Sequence, residues 1–166
     1  MKRLLIIGLP AYALDQATKW AVVWTLPFDP YHQFRKVVIP NFFDLVHWGN
    51  TGAAFSFMSG RNTFFVILSL VALTALFIME KRGAFADAWS RWGAGLLVGG
   101  VLGNVTDRLV HGHVVDFLLF DLHVPFANPW PAFNVADSCI CIAVGLFFIA
   151  SFKEQARVNA AKKAAS

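Results

Sequence analysis

The sequence has little charge for its length. Charged residues make up 14% of the 166 positions and hydrophobic residues 57%, with a mean hydropathy of +0.57. This composition is too apolar for an ordinary soluble fold, and the apolar residues come in blocks, which indicates membrane spans. The basic residues flank these blocks and build no basic face, so we expect no nucleic-acid binding.

Cysteine is also scarce, and this excludes several kinds of site. Only Cys139 and Cys141 occur, and a helix directs residues at this i,i+2 spacing to different faces, so a disulfide between them is not expected. No zinc-like spacing is present, and His111, His113 and His123 follow no fixed metal-ligand pattern. The sequence indicates no Ser-His-Asp or Cys-His catalytic set. We therefore expect no metal and no cofactor.

Four apolar segments predict an all-α membrane protein. The spans cover about 4–26, 63–79, 93–110 and 135–152, each near the roughly 20 residues needed to cross a bilayer. The first resembles a secretory signal, but the charges of Asp15 and Lys19 follow at once and no cleavage site is clear, so we interpret it as a retained span. The whole chain, 1–166, is expected to form one integral membrane domain.

The distribution of Lys and Arg predicts the orientation of these spans. Most of the basic residues would share one side: Lys2, Arg3, Lys81, Arg82, Arg91, Lys153, Arg157, Lys162 and Lys163. The opposite side has Arg35, Lys36, Arg61 and the edge residue Arg108. The positive-inside rule then places both termini in the cytoplasm, including a basic, frayed tail over 153–166. The loops 27–62 and 111–134 face outward.

A glycine stripe marks the third span. Gly95, Gly99 and Gly103 follow each other at four-residue spacing, which lets another helix approach closely. Asp107 continues the same face one turn later. The pattern predicts a tight helix contact that leads directly to a polar cluster.

The first outer loop, 27–62, contains β-prone runs. These are 37–39, 42–43 and 45–46, separated by Pro40-Asn41 and by Asp44. We expect a small extracytoplasmic sheet that lies at the interface. Its aromatic side chains are expected at headgroup level: Phe34, Phe42, Phe43, Trp48, Phe55 and Phe57.

Polar residues within the first and third spans allow alternative interpretations. Asp15 and Lys19 have the i,i+4 spacing of an ion pair within one helix, or one of them reaches the site or a lipid headgroup. Asn104, Asp107 and Arg108 lie within one turn. We expect Asp107 and Arg108 to form a structural clamp, because an arginine can hold neighbouring carboxylates ionised. Direct catalysis by Asp107 is the alternative.

Asp116 and Asp137 are the strongest candidates for a functional site. The insertion of a carboxylate at membrane depth costs about 2.5–3.5 kcal/mol of free energy, so such a residue indicates a functional site. Asp116 lies in the apolar run 114–120. Asp137 follows Asn134 by three residues at the start of the fourth span. A helix cap is the simpler explanation for Asp137, because a helix N-terminus stabilises a carboxylate. Both fall at the outer edge of the membrane. Two such carboxyls can share one proton, activate a water and protonate a scissile carbonyl.

Two other classes of function compete with a protease. Intramembrane carboxylates relay protons in proton-coupled transport subunits, and in a scaffold they only form ion pairs. A conduit should distribute charged groups through the membrane depth, whereas this sequence has one polar cluster at the outer edge. Asparagine substitution of Asp116 or Asp137 separates these classes.

Five motifs, in order, resemble those of bacterial lipoprotein signal peptidase, or signal peptidase II. The segments are 15–19 (DQATK), 50–56 (NTGAAFS), 99–108 (GGVLGNVTDR), 112–117 (GHVVDF) and 133–138 (FNVADS). The resemblance covers nearly the whole chain, and the order and spacing of all five make it specific.

The resemblance implies an aspartic endopeptidase of the bacterial inner membrane. Such an enzyme cleaves a prolipoprotein just before its diacylglyceryl-modified cysteine, near the periplasmic face and without a cofactor, and globomycin-type cyclic peptides inhibit it. Asp116 and Asp137 match the catalytic dyad. The matching residues that line or support the site are Asn50, Gly52, Arg108, Asn134, Asp15, Lys19, Asn104 and Asp107. A monomer is expected.

Overall fold

A computed structural model describes residues 2–52, 58–125 and 128–164. Within these residues the chain forms four helices. They are α1 Lys2–Thr25, α2 Asn62–Lys81, α3 Ala88–Val110 and α4 Val135–Ala164. Three strands lie between them: β1 Lys36–Ile39, β2 Phe43–Asn50 and β3 Val114–Phe120.

Helix α3 is the centre of the helical packing, and its glycines explain why. A Cβ added at Gly95 would lie 2.5 Å from the Cβ of Ile7, and one added at Gly99 would lie 2.6 Å from the carbonyl oxygen of Gly8. The predicted close contact along the stripe is therefore confirmed, and its partner is α1. On another face of α3, a Cβ at Gly100 would lie 2.6 Å from the carbonyl oxygen of Ala136 in α4.

The remaining helix, α2, packs less closely. Its buried residues are Leu73 and Leu76, which join the apolar cluster around Leu4 and Val98. In the described part of the chain, α2 and α4 are the helices long and apolar enough to cross a membrane, judged by length and composition. The stretch after residue 152, where fraying was expected, continues α4 as a helix to Ala164.

The strands form one antiparallel sheet in the order β1-β2-β3. The predicted sheet in the first outer loop is confirmed, but β2 runs unbroken through Asp44, where a division was expected. The sequence also did not reveal that the apolar run 114–120 is a third strand. The register of β3 sets Trp48 opposite Asp116 and Asn50 opposite Val114, which brings the segments 27–62 and 111–134 together.

The aromatic side chains of the first outer loop divide into two groups. Phe34 and Phe42 are exposed, as residues at headgroup level should be. The indole of Trp48, in contrast, is buried and stacks on His32 with the ring centroids 4.1 Å apart, and its position at headgroup level stays a prediction. Phe43 stacks on Phe120 of the neighbouring strand at 4.7 Å. Phe55 and Phe57 lie outside the described residues, as do positions 53–56 of the second motif.

Candidate active site

Asp116 and Asp137 come together through a single residue, Asn134. The side-chain amide of Asn134 donates to Oδ1 of Asp116 at 2.8 Å, and its backbone N–H donates to Oδ2 of Asp137 at 3.2 Å. Both carboxyl groups, one from β3 and one from the first turn of α4, therefore lie within hydrogen-bonding reach of one asparagine.

Asn134 is held in place by the helix that it starts. The backbone N–H of Asp137 donates to Oδ1 of Asn134 at 2.9 Å, so the two residues satisfy each other's backbone donors as in a capping box. Asn134 is fully buried, and its amide also donates to the carbonyl oxygen of Val115 at 3.3 Å. The helix cap is therefore present, and the same side chain contacts Asp116, while the functional role of the two acids stays a prediction.

Asp116 is the more deeply buried of the two acids. The amide of Asn50 donates to its Oδ2 at 3.0 Å, and Asn50 is itself oriented by the backbone N–H of Gly52, which donates to its Oδ1 at 2.9 Å. Burial, and after it the charge of Asp137, raise the pKa of Asp116 to about 8, against the lowering effect of the two asparagine donors. Near neutral pH this shift favours the protonated form of the Asp116 carboxyl.

Asp137 is partly exposed and has a different set of partners. The amide of Asn104, from α3, donates to Oδ1 of Asp137 at 2.7 Å. Oδ2 of Asp137 accepts the backbone N–H of Asn134 at 3.2 Å, and a carboxylate oxygen has further lone pairs that can accept a proton from a water. The pair thus has one deeply buried member and one partly exposed member.

A buried lysine, Lys19, is linked to Asp137 through Asn104. Lys19 is 2% exposed, and its Nζ lies 2.8 Å from Asp15 and 2.8 Å from Asp107 and donates to Oδ1 of Asn104 at 3.0 Å. Asp15 and Lys19 therefore form the ion pair within α1, and Lys19 also reaches Asp107 and Asn104 of α3, so the pair within the helix and a contact beyond the helix are both present. Asn104 links the lysine to Asp137.

The two carboxylates that hold Lys19 also hold the backbone beside each candidate acid. Asp15 accepts the N–H of Ala136, next to Asp137, at 2.8 Å. Asp107 accepts the N–H of Val115, next to Asp116, at 3.0 Å. One cation thus fixes two carboxylates that fix the two segments from which the acids project.

The sequence did not identify the true partner of Asp107. Asp107 pairs with Lys19, whereas Arg108 donates through Nη2 to the carbonyl oxygen of Gly52 at 2.7 Å and lies over the ring of Phe65 at 5.1 Å. The expected clamp between Asp107 and Arg108 was therefore wrong. Adjacent residues on a helix point about 100° apart, so Asp107 faces α1 while Arg108 faces the segment after β2.

Gln16, which was predicted only as part of the first motif, is also a member of this network. Its side-chain amide donates to Oδ1 of Asp107 at 2.9 Å. A polar residue beside Asp15 in an apolar span was the available signal.

Across residues 2–52, 58–125 and 128–164, no group of three or more His, Cys, Asp or Glu side chains is arranged to hold a metal ion.

Comparisons with known proteins agree on one family. The family model described as "Signal peptidase (SPase) II" matches residues 7–153. A lipoprotein signal peptidase of Neisseria meningitidis serogroup C is 44% identical over 145 residues, which cover 85% of this chain and 84% of that protein. One from Aeromonas hydrophila is 42% identical over 157 residues, covering 92% and 90%.

Solved structures with the same fold are also known. A bacterial membrane enzyme determined by the in meso method has a TM-score of 0.82 and 31% identity, with 95% of this chain and 92% of that chain covered. A second bacterial membrane enzyme has a TM-score of 0.77 and 32% identity, with 92% and 94% covered.

Proposed function

This chain belongs to the signal peptidase II family of aspartic endopeptidases, and we propose that Asp116 and Asp137 carry out its reaction. The enzyme removes the signal peptide from prolipoproteins. The observation that supports the assignment is the shared contact of Asn134, whose side-chain amide donates to Asp116 and whose backbone N–H donates to Asp137. By family resemblance, the bond cleaved is the one just before a diacylglyceryl-modified cysteine.

The two acids have different roles in this proposal. The Asp137 carboxylate accepts a proton from water, and the water oxygen attacks the scissile carbonyl carbon. The proton of Asp116 moves to the carbonyl oxygen, which gives a tetrahedral diol. On collapse, the C–N bond breaks, the leaving nitrogen takes the proton from Asp137, and Asp116 recovers a proton from the diol. The burial of Asp116, which raises its pKa to about 8, supports its role as the proton donor.

The other polar residues position substrate and dyad. Asn50 and Asn134 hold Asp116, and Asn104 holds Asp137. Arg108, fixed on the carbonyl oxygen of Gly52, provides a cation near both acids. The buried residues Lys19, Asp15 and Asp107 act through the backbone segments that they hold.

The membrane arrangement is part of the proposal. The chain is a membrane enzyme, and we place all four helices across the bacterial inner membrane as one domain with both termini in the cytoplasm. The basic residues at the ends of α2 and α4 support this orientation. The dyad then lies near the periplasmic face, where a lipidated cysteine is anchored. Membrane lipids surround a monomer, and globomycin-type cyclic peptides occupy the dyad. The comparisons give no support to the transport alternative.

Cleavage of a defined precursor in detergent tests the proposed chemistry. Wild-type enzyme should cleave a diacylglyceryl-modified precursor and leave the modified cysteine at the new N-terminus, as read by mass spectrometry. Asp137→Asn should fold and insert normally but leave the precursor intact. Asp121→Asn, just after β3, is the matched control and should retain activity. Normal cleavage by well-expressed Asp137→Asn would exclude the dyad, and equal cleavage of the unmodified precursor would exclude lipid recognition.

A topology reporter tests the orientation separately. A reporter fused after Lys153 should give a cytoplasmic signal, and a periplasmic signal would invert the arrangement. Because this measurement does not depend on catalysis, the proposed orientation and the proposed dyad are tested independently of each other.

A further inference from the structure

An apolar cleft lies far from the dyad, at the beginning of α3. Ala88, Trp89, Trp92 and Leu146 line an apolar cleft between α3 and α4 with a volume of about 330 Å³. We call it the Trp89 cleft. Trp89 precedes Asn104, the α3 residue that contacts Asp137, by fifteen positions, or about 22 Å along a helix. The cleft is therefore at the opposite end of the bundle from the acids.

The cleft exists because a glycine draws the two helices together. A Cβ added at Gly93 would lie 3.1 Å from the carbonyl oxygen of Ala143 and 3.4 Å from the Cβ of Leu146, so α3 and α4 approach closely there. The indoles of Trp89 and Trp92 cannot enter this contact. They flank it and remain 39% and 56% exposed. Tryptophans with this exposure are typical of the membrane–water interface.

A cation lies directly above the cleft. The Nζ of Lys153, on α4, is 4.4 Å from the ring centroid of Trp89. The helical continuation of α4 fixes its position, and Arg157 follows one turn later. Among the residues that the structure describes, no carboxylate lies within ion-pair distance of Lys153, whereas Asp87 caps α3 and Glu154 lies 3.5 Å from Arg157. An ammonium over an indole still presents its N–H groups to an anion.

We propose that the Trp89 cleft binds one anionic phospholipid. An acyl chain packs along Trp89, Trp92 and Leu146, and the headgroup phosphate accepts hydrogen bonds from Lys153. The combination favours this occupant, because an apolar cleft between helices with a cation at its interfacial end matches a lipid tail joined to an anionic headgroup. A zwitterionic lipid would gain less binding free energy from Lys153, since the lipid's own ammonium group repels this cation.

The site is independent of peptide cleavage. The cleft and the dyad have no residue in common, so the bound lipid anchors α4 against α3 and takes no part in the reaction. Lys153→Gln should therefore cleave precursor at the wild-type rate in a neutral detergent that contains no phospholipid.

Native mass spectrometry of the purified full chain tests the proposal. The protein in neutral detergent is titrated with phosphatidylglycerol or with phosphatidylcholine of the same acyl chains. Wild type should retain phosphatidylglycerol preferentially. Lys153→Gln should weaken this binding about fivefold, which corresponds to about 1 kcal/mol for one interfacial cation. Trp92→Ala should weaken the binding of both lipids, because it removes the apolar wall of the cleft.

Lys36→Gln is the matched control, because Lys36 is an exposed cation on β1, in the outer sheet. It should bind phosphatidylglycerol as wild type does. The proposal is overturned if Lys153→Gln binds phosphatidylglycerol with wild-type affinity, if both lipids bind equally well to wild type, or if Lys36→Gln weakens binding as much as Lys153→Gln.

Discussion

Replacement of Lys19 by methionine should destabilise the protein severely. Lys19 is the buried cation at 2.8 Å from both Asp15 and Asp107, and these carboxylates are 0% and 1% exposed. Methionine keeps the length of the side chain and removes its charge, so it leaves two buried carboxylates without a counter-charge. Removal of one partner of a single buried ion pair costs about 3–5 kcal/mol.

The loss can be converted into a shift of the unfolding temperature. For a chain of this size, 1 kcal/mol corresponds to about 2–4 °C, so Lys19→Met should lower Tm by roughly 6–20 °C. Thermal unfolding in detergent, followed by helical circular dichroism, measures it. Lys36→Met, on the exposed strand β1, is the control and should change Tm by no more than about 2 °C.

A second substitution distinguishes charge from packing. Asp15→Asn, added to Lys19→Met, removes one of the two stranded charges and should recover part of the lost Tm, since residues in one network are coupled. Lys19→Met with a Tm within about 2 °C of wild type would refute the reasoning. No recovery in the double variant would show that packing, and not charge, explains the loss.

Two further predictions concern packing and pH. Gly99→Ala should lower the free energy of unfolding by about 1–3 kcal/mol, because the new Cβ would lie 2.6 Å from the Gly8 carbonyl oxygen. Gly145→Ala is the control and should leave Tm unchanged or slightly higher, because the new Cβ would have nothing within 4 Å. Equal Tm values for the two variants would contradict the close contact. The pKa of Asp116, raised to about 8, predicts that kcat/KM falls above about pH 8, because the donor loses its proton there. A pH–rate profile that stays flat to about pH 10 would exclude Asp116 as the proton donor.

Local patterns were enough to predict the helices and a close helix contact along the glycine stripe, but not that the partner is α1. The four-residue spacing of Gly95, Gly99 and Gly103 defines one helix face regardless of the rest of the fold, so its close packing could be predicted. Asp116 and Asp137 were recognisable for a similar reason: a carboxylate in an apolar run is costly wherever that run lies.

Features that depend on distant partners could not be predicted in the same way. The run 114–120 is apolar at most positions, and its nature as a strand follows from pairing with β2, about seventy residues earlier. Asp107 could have paired with Arg108 or with Lys19, and the choice depends on which helix the glycine stripe brings close. Trp48 is buried because β2 lies in the centre of the sheet, a position that no local pattern reports.

The central claim is that Asp116 and Asp137 act together on one peptide bond, and a set of three variants tests it most directly. Asp116→Asn, Asp137→Asn and the double variant are compared with wild type in the lipidated-precursor assay, after each is shown to unfold at a wild-type temperature. Each single variant should lose more than about a thousandfold in kcat, and the double variant should lose no more, because both groups serve the same step. Losses that multiply in the double variant, or a single variant that cleaves at the wild-type rate, would contradict the account.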